Sequence, residues 1–257
     1  MTKIELIYLL TLVLFINTLS AQSSKVMDDL SMKSNILKSE RKFAIYLPPD
    51  YDTSTRSYPV LYLLHGSGDD QTGWIQFGEV KRIADQAIME GKATPMIIVM
   101  PDANSGERGY FNNINEKWNY EDFFFKELMP YVEKTYRIKQ DKRYRAISGL
   151  SMGGGGSFIY ALHHPELFSS AAPLSAQIGP LTIQDLQKDL SQRKSENFTE
   201  EQVNSYFEQH SAVWLVKNGD AEKITSVRWY IDCGDDDFLY EGNSLIHIAM
   251  RKKDIPH

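Results

Sequence analysis

One serine stands at the centre of Gly149-Leu150-Ser151-Met152-Gly153, and Gly154, Gly155 and Gly156 follow at once. A G-x-S-x-G run between a strand and a helix makes a nucleophile elbow. The serine sits on a strained turn that lifts its hydroxyl clear, and the glycines to either side let strand and helix pass close by. The flanks supply that context, because residues 145–148 read as a short strand and residues 157–162 as a buried helix. Ser151 is therefore the candidate nucleophile. A serine hydroxyl attacks poorly at neutral pH, so it needs a base, an acid to orient that base, and donors to hold an oxyanion.

Candidates for the donors and the acid follow from position. His65-Gly66-Ser67-Gly68 comes directly after the apolar run 60–64, where elbow-type hydrolases place a loop that gives one backbone N–H to the oxyanion. Ser67 is the choice there, with Gly68 the alternative, and His65 reads as a structural part of the loop. The second donor is the N–H of Met152, at a helix N-terminus whose dipole also favours negative charge. The chain order of such sites is Ser, then Asp or Glu, then His. Gly234-Asp235-Asp236-Asp237 ends the strand-like run 227–233 and offers three carboxylates. Asp237 is the best candidate, but a solvated turn or a weak cation site would have the same composition. No metal is expected, because no histidine is near in sequence and serine chemistry needs none. No cofactor is demanded.

These residues must be held by an alternation of strands and helices. Residues 43–47, 60–64 and 96–100 run apolar, the last two as strands buried on both faces. Between them lies a helix over about 79–90, and a second helix over 120–136 carries Phe124, Leu128 and Tyr131 on one face. After the elbow helix come a strand over 169–174, a strand over 227–233 and an amphipathic helix over about 243–253. From residue 177 to about 225 the chain is polar, with helical pieces at 183–190 and 199–210, the second opened by a capping box at Thr199. That is too long for a plain loop and reads as a helical insertion, either a solvated excursion or a lid. The pattern predicts an α/β fold, a doubly wound and mostly parallel sheet with helices on both faces.

At 257 residues and 42% hydrophobic, the chain suits one α/β domain over residues 22–257. The net charge is −6, from 28 basic and 34 acidic residues, and the basic ones are scattered, which argues against nucleic-acid binding. Lys3, an apolar stretch over 6–16 and Leu19-Ser20-Ala21 have the form of a secretory signal cleaved near Ala21. The stretch is short for a stable membrane anchor, so a secreted or periplasmic location is expected. The single cysteine, Cys233, excludes an intrachain disulfide and reads as a small buried side chain.

Four pieces, Leu63-Leu64-His65-Gly66, Gly149 to Gly154, His164-Pro165-Glu166-Leu167-Phe168, and Cys233-Gly234 with Asp237 three residues on, carry a resemblance to the esterase-D-like branch of the α/β-hydrolases. That branch includes the feruloyl and acetyl xylan esterases of carbohydrate esterase family 1, and siderophore esterases. The resemblance covers nearly all of the chain after the signal, and its spacing picks Asp237 over its neighbours. It implies an exported serine esterase that removes feruloyl or acetyl side groups from plant cell-wall xylan through an acyl-enzyme. The partner would be a feruloylated or acetylated xylo-oligosaccharide. Trp74, Tyr110, Phe111 and Trp118 are the aromatic residues in expected active-site loops, where stacking on a phenolic acyl group would add roughly 1 kcal/mol.

The resemblance also implies a further strand, a turn carrying the catalytic histidine, and a last helix, all beyond His257. His257 itself matches the residue that opens that strand, and His163, His164, His210 and His247 do not have the base's place after the acid strand. Loss of the base lowers turnover by about a millionfold, so the expectation is a natural chain that continues past His257. The alternatives are a siderophore or other small-ester hydrolase, and an inactive carbohydrate-binding relative that keeps the pocket.

Overall fold

The computed structural model describes residues 23–103, 109–192 and 197–257. The expected signal at residues 1–21 lies outside them. Among the described residues seven strands form one sheet in the order β1-β2-β4-β3-β5-β6-β7. Strand β1 (Lys25–Ser34) pairs antiparallel with β2 (Ser39–Leu47), which pairs antiparallel with β4 (Ile97–Pro101). Strands β3 (Val60–Leu64), β4, β5 (Arg145–Leu150), β6 (Ser170–Leu174) and β7 (Arg228–Trp229) run parallel. The sheet is therefore mixed but mostly parallel, as the alternation of elements predicts.

Two strands depart from the sequence reading. β1 was not anticipated, since a register shift between Met27 and Leu30 breaks its period of two and one face is polar and exposed, as befits an edge strand. β7 is two residues long rather than the seven of 227–233. Tyr230 still donates to the Ala171 carbonyl. The return bond of a parallel ladder would come from the N–H of residue 173, and that residue is proline. Only an isolated bridge between Leu174 and Asp232 continues the pairing.

The helices are α1 (Gly73–Gln76), α2 (Val80–Met89), α3 (Tyr120–Phe123), α4 (Met129–Thr135), α5 (Met152–His163), α6 (Ile183–Ser191), α7 (Glu200–His210), α8 (Ala212–Asn218), α9 (Ala221–Thr225) and α10 (Tyr240–Lys252). A π-helical turn, Phe124–Leu128, joins α3 to α4. Pro130 has no N–H to give to the carbonyl of residue 126, and the helix widens there. Among the described residues no helix is long and apolar enough to cross a membrane.

Alternation along β2 divides the core in two. Phe43, Ile45 and Leu47 join the large cluster that includes Phe124, Val132 and Phe158 from the helices on one face. Ala44 and Tyr46 join Val80 and Ala84 of α2 on the other. The insertion has a small core of its own, Leu186, Leu190 and Val203. Both of its first helices start at capping boxes, Thr182 with Asp185 and Thr199 with Gln202.

Candidate active site

The loops after β3, β5 and β7 carry the His65–Gly68 run, Ser151 and Asp237, so the candidate residues gather at the carboxyl ends of parallel strands, where such sheets open a crevice. Ser151 has φ 56° and ψ −113°, a strained combination for a residue with a Cβ. The turn is tied on both sides. Its N–H donates to the Leu174 carbonyl, and its own carbonyl accepts from Gly155 and Gln177, all at 2.9 Å. A Cβ on Gly149 would lie 2.4 Å from the Gly153 carbonyl oxygen, and one on Gly153 would lie 2.4 Å from that of Leu64. The two glycines are therefore required by the close approach of β3, β5 and α5.

Met152 opens α5, so its N–H is among those that no intrahelical carbonyl can reach. The loop after β3 lies beside it. A Cβ on Gly66 would be 3.8 Å from Ser151 Cβ, and Ser67 Oγ stands 3.9 Å from Met152 Sδ. The His65–Gly68 loop and the start of α5 thus lie side by side next to Ser151.

His65 braces this loop and is buried. Its Nε2 accepts the Ala103 N–H at 3.0 Å, so Nδ1 carries the ring hydrogen and donates to the Gly66 carbonyl at 2.8 Å. Both nitrogens are consumed, and the ring has no lone pair left for a proton from Ser151. The Tyr110 hydroxyl accepts the His65 N–H at 2.8 Å and is buried, which pushes its ionisation well up and keeps it a neutral phenol. Behind them Arg41 pairs with Asp102 at 2.7 Å and lies over the Trp118 ring at 5.1 Å.

Asp237 is half-buried, whereas Asp235 and Asp236 are exposed. Its Oδ1 accepts the Leu239 N–H at 2.8 Å. Asn243 fixes this loop from below, donating from Nδ2 to the Leu239 carbonyl at 2.9 Å and to the Ala176 carbonyl at 3.0 Å. Cys233 is half-buried rather than part of the core. Burial, then the negative charges of Asp237 and Asp232, raise its thiol pKa against a hydrogen bond with Ser175. The Ser175 N–H donates to the Asp232 carbonyl at 2.6 Å, which ties the segment before Asp237 to the one that holds the Ser151 N–H.

Among the described residues no histidine hydrogen-bonds Ser151 or Asp237. His163 binds Glu121 and the Gln209 carbonyl, His164 faces Glu166, and His210 binds the Tyr206 carbonyl. His257 binds the Ile255 carbonyl and lies against His247. No group of metal-ligating side chains assembles among the described residues.

A cleft of about 450 Å³ opens beside Ser67 and Met152, and its far wall is the insertion, through Leu190 of α6 and Tyr206 and His210 of α7. Tyr110 and Phe111 line it. Trp74 and Trp118 do not: the Trp74 indole N–H is spent on the Leu64 carbonyl at 2.9 Å and that of buried Trp118 on the Gly109 carbonyl at 2.8 Å. The insertion's lining residues were not singled out from the sequence. Its capping boxes mark where the helices start but not which side chains turn towards the elbow.

The family model described as "Putative esterase" matches residues 34–253. The chain belongs to this esterase family of α/β-hydrolases. A solved ferulic acid esterase is 36% identical and superposes with a TM-score of 0.78 over 91% of this chain and 88% of that one. An esterase of Mycobacterium tuberculosis is 38% identical over 143 residues, which are 54% of this chain and 29% of that protein. The endo-1,4-beta-xylanase/feruloyl esterase of Xylanibacter ruminicola is 37% identical over 133 residues, 48% of this chain and 18% of that protein. This esterase-family chain thus spans less than a third of the length of these two curated relatives.

Proposed function

We propose that the protein is a serine carboxylic ester hydrolase that removes feruloyl or acetyl groups from xylan side chains. The observation that carries this reading is Ser151 on its strained turn, with the His65–Gly68 loop and the α5 N-terminus beside it. The Ser151 oxygen attacks the ester carbonyl carbon while a base takes its proton. The carbonyl oxygen becomes an oxyanion facing the N–H groups of Ser67 and Met152, donors that need no reorganisation as charge develops. Collapse breaks the bond to the alcohol oxygen, which leaves with a proton. Water, giving its proton to the base, then attacks the acyl carbon, and collapse breaks the bond to Ser151 Oγ, which regains a proton as the carboxylic acid leaves. Asp237 orients the base. His65 is not that base, because both its nitrogens are engaged.

The relatives support the two acyl groups of this reading. The ferulic acid esterase and the xylanase/feruloyl esterase support a hydroxycinnamoyl ester, and the acetyl esterase of Caldicellulosiruptor saccharolyticus, 26% identical over 88% of this chain, supports the smaller group. Solved feruloyl esterases of the same fold hold ferulic acid or sinapinate. Export, suggested by the residues before Gln22, would bring the enzyme to the polysaccharide.

The natural protein, isolated from its source, should release ferulate or acetate from arabinoxylan fragments, and Ser151→Ala should abolish release. Activity that survives the substitution would overturn the reading. The absence of a described histidine beside Ser151 favours one other reading, a carbohydrate-binding relative without turnover. Retention on xylan with no labelling of Ser151 by a fluorophosphonate would establish that instead.

A further inference from the structure

The far wall of the cleft holds a polar group that the proposed chemistry does not use. His210, at the end of α7, lines the cleft yet is only 4% exposed. Its ring stacks on Tyr206, with centroids 3.9 Å apart, and meets the Phe111 ring edge-on at 5.3 Å. Nδ1 lies 2.9 Å from the Tyr206 carbonyl oxygen, which can only accept, so Nδ1 carries the hydrogen. Turning Nδ1 to the backbone of its own helix directs Nε2 away from α7. That nitrogen has a lone pair and is buried without a protein partner. Burial brings the pKa of the ring down to about 4, against the pull of the Tyr206 carbonyl and Glu121, so Nε2 is an acceptor throughout the neutral range. Among the described residues, the charged or titratable groups that face it are Glu121 and His163.

A buried acceptor left unpaired destabilises the site, a penalty that a ligand hydroxyl can relieve. The flanking rings of Phe111 and Tyr206 suit a flat or sugar-like group beside it. Resting on the ester-hydrolase reading, we infer that His210 Nε2 accepts a hydrogen bond from a substrate hydroxyl and so selects hydroxylated esters over the same esters without the donor. The hydroxyl belongs either to a phenolic acyl group or to the sugar that carries it. A site built around such a bond rejects the analogue lacking it far more strongly than a greasy pocket rejects a missing methylene.

The test reads binding, so it stands even if the ester-hydrolase reading fails. In full-length protein carrying Ser151→Ala, affinities are measured by calorimetry for ferulic acid against 3,4-dimethoxycinnamic acid, and for methyl xyloside against its 2,3-di-O-methyl ether. One pair should show a preference of about tenfold or more for the free hydroxyl, which also assigns the donor to acyl group or sugar. His210→Phe keeps the ring and should bring that ratio close to one, while His210→Gln, which restores an acceptor, should recover part of it. Should His210→Phe fold poorly, the ¹⁵N resonance of Nε2 in the parent reports directly, shifting on binding of the hydroxylated ligand and not of its ether. Ratios near one in both pairs, a ratio that survives His210→Phe, or an unmoved Nε2 resonance would each overturn the inference. No ester hydrolysis by the protein with Ser151 intact, while the ratio holds, would count against the ester-hydrolase reading alone.

Discussion

The carbonyl oxygen of Leu64 lies 2.4 Å from the point where a Cβ on Gly153 would stand. Strand β3 and helix α5 meet there with no room for a methyl group, and the oxygen belongs to backbone that cannot swing aside. Gly153→Ala should therefore push the His65–Gly68 loop away from Ser151. Overpacking of this kind costs about 1–3 kcal/mol, or roughly 2–12 °C in melting temperature for a chain of this size. Calorimetry would check it, and a variant that melts with the parent would show that the contact yields.

Glu133 and Arg145 tie α4 to the first residue of the strand that carries Ser151. Two near-parallel hydrogen bonds of 2.6 and 2.8 Å join them, and the Tyr62 hydroxyl donates to the same carboxylate at 3.2 Å. Both side chains are buried. Glu133→Leu alone leaves a buried guanidinium without its counter-charge and should cost about 3–5 kcal/mol. Adding Arg145→Met should restore most of that. Urea midpoints of parent, single and double variants decide the matter, since equal losses in single and double variants would mean that packing, not charge, holds the contact.

Much of this arrangement was legible in the sequence because the residues that do it are constrained locally. The strained turn at Ser151 needs glycine at 149 and 153 for steric reasons that act within a few residues, and the apolar runs of β3 and β4 follow from burial on both faces. What escaped depends on long-range pairing. Pro173 cuts β7 short, a fact visible only once β6 is known to face it. The bulge near Met27 scrambles the period of β1. Trp74 and Trp118 have the composition of a binding surface, but their N–H groups are spent on the Leu64 and Gly109 carbonyls. His210 reaches the cleft only through the way α7 docks.

Asn243 should matter to activity without touching substrate. Its two hydrogen bonds clamp the Leu239 and Ala176 carbonyls together, so the Asp237 loop and the segment behind the elbow keep a fixed separation. Misplacement of a catalytic group by about 1 Å can cost roughly a hundredfold. In the full-length enzyme Asn243→Leu should lower kcat by about 10- to 100-fold with KM little changed, whereas Asn243→Gln should keep part of the clamp. A change in KM alone would show that the residue shapes binding instead of position.

Two histidines should give stability opposite slopes on either side of pH 6.5, the unfolded value for the ring. His210 is buried and titrates near 4 in the folded protein, so between 4 and 6.5 only the unfolded chain takes up its proton. Stability falls on that acid limb by up to about 1.4 kcal/mol per pH unit. For His163 burial opposes the charge, but the hydrogen bond and charge of Glu121 outweigh it and lift the folded value above 6.5. Its contribution is complete below 6.5 and is lost as pH rises through the raised value. His164, itself facing Glu166, adjoins the same carboxylate of Glu121. Urea midpoints from pH 4.5 to 9 should show His210→Phe flattening the acid limb relative to the parent and Glu121→Gln flattening the alkaline one. An acid limb that is the same in His210→Phe would mean that the ring already titrates near its unfolded value, and the neutral acceptor in the cleft wall would go with it.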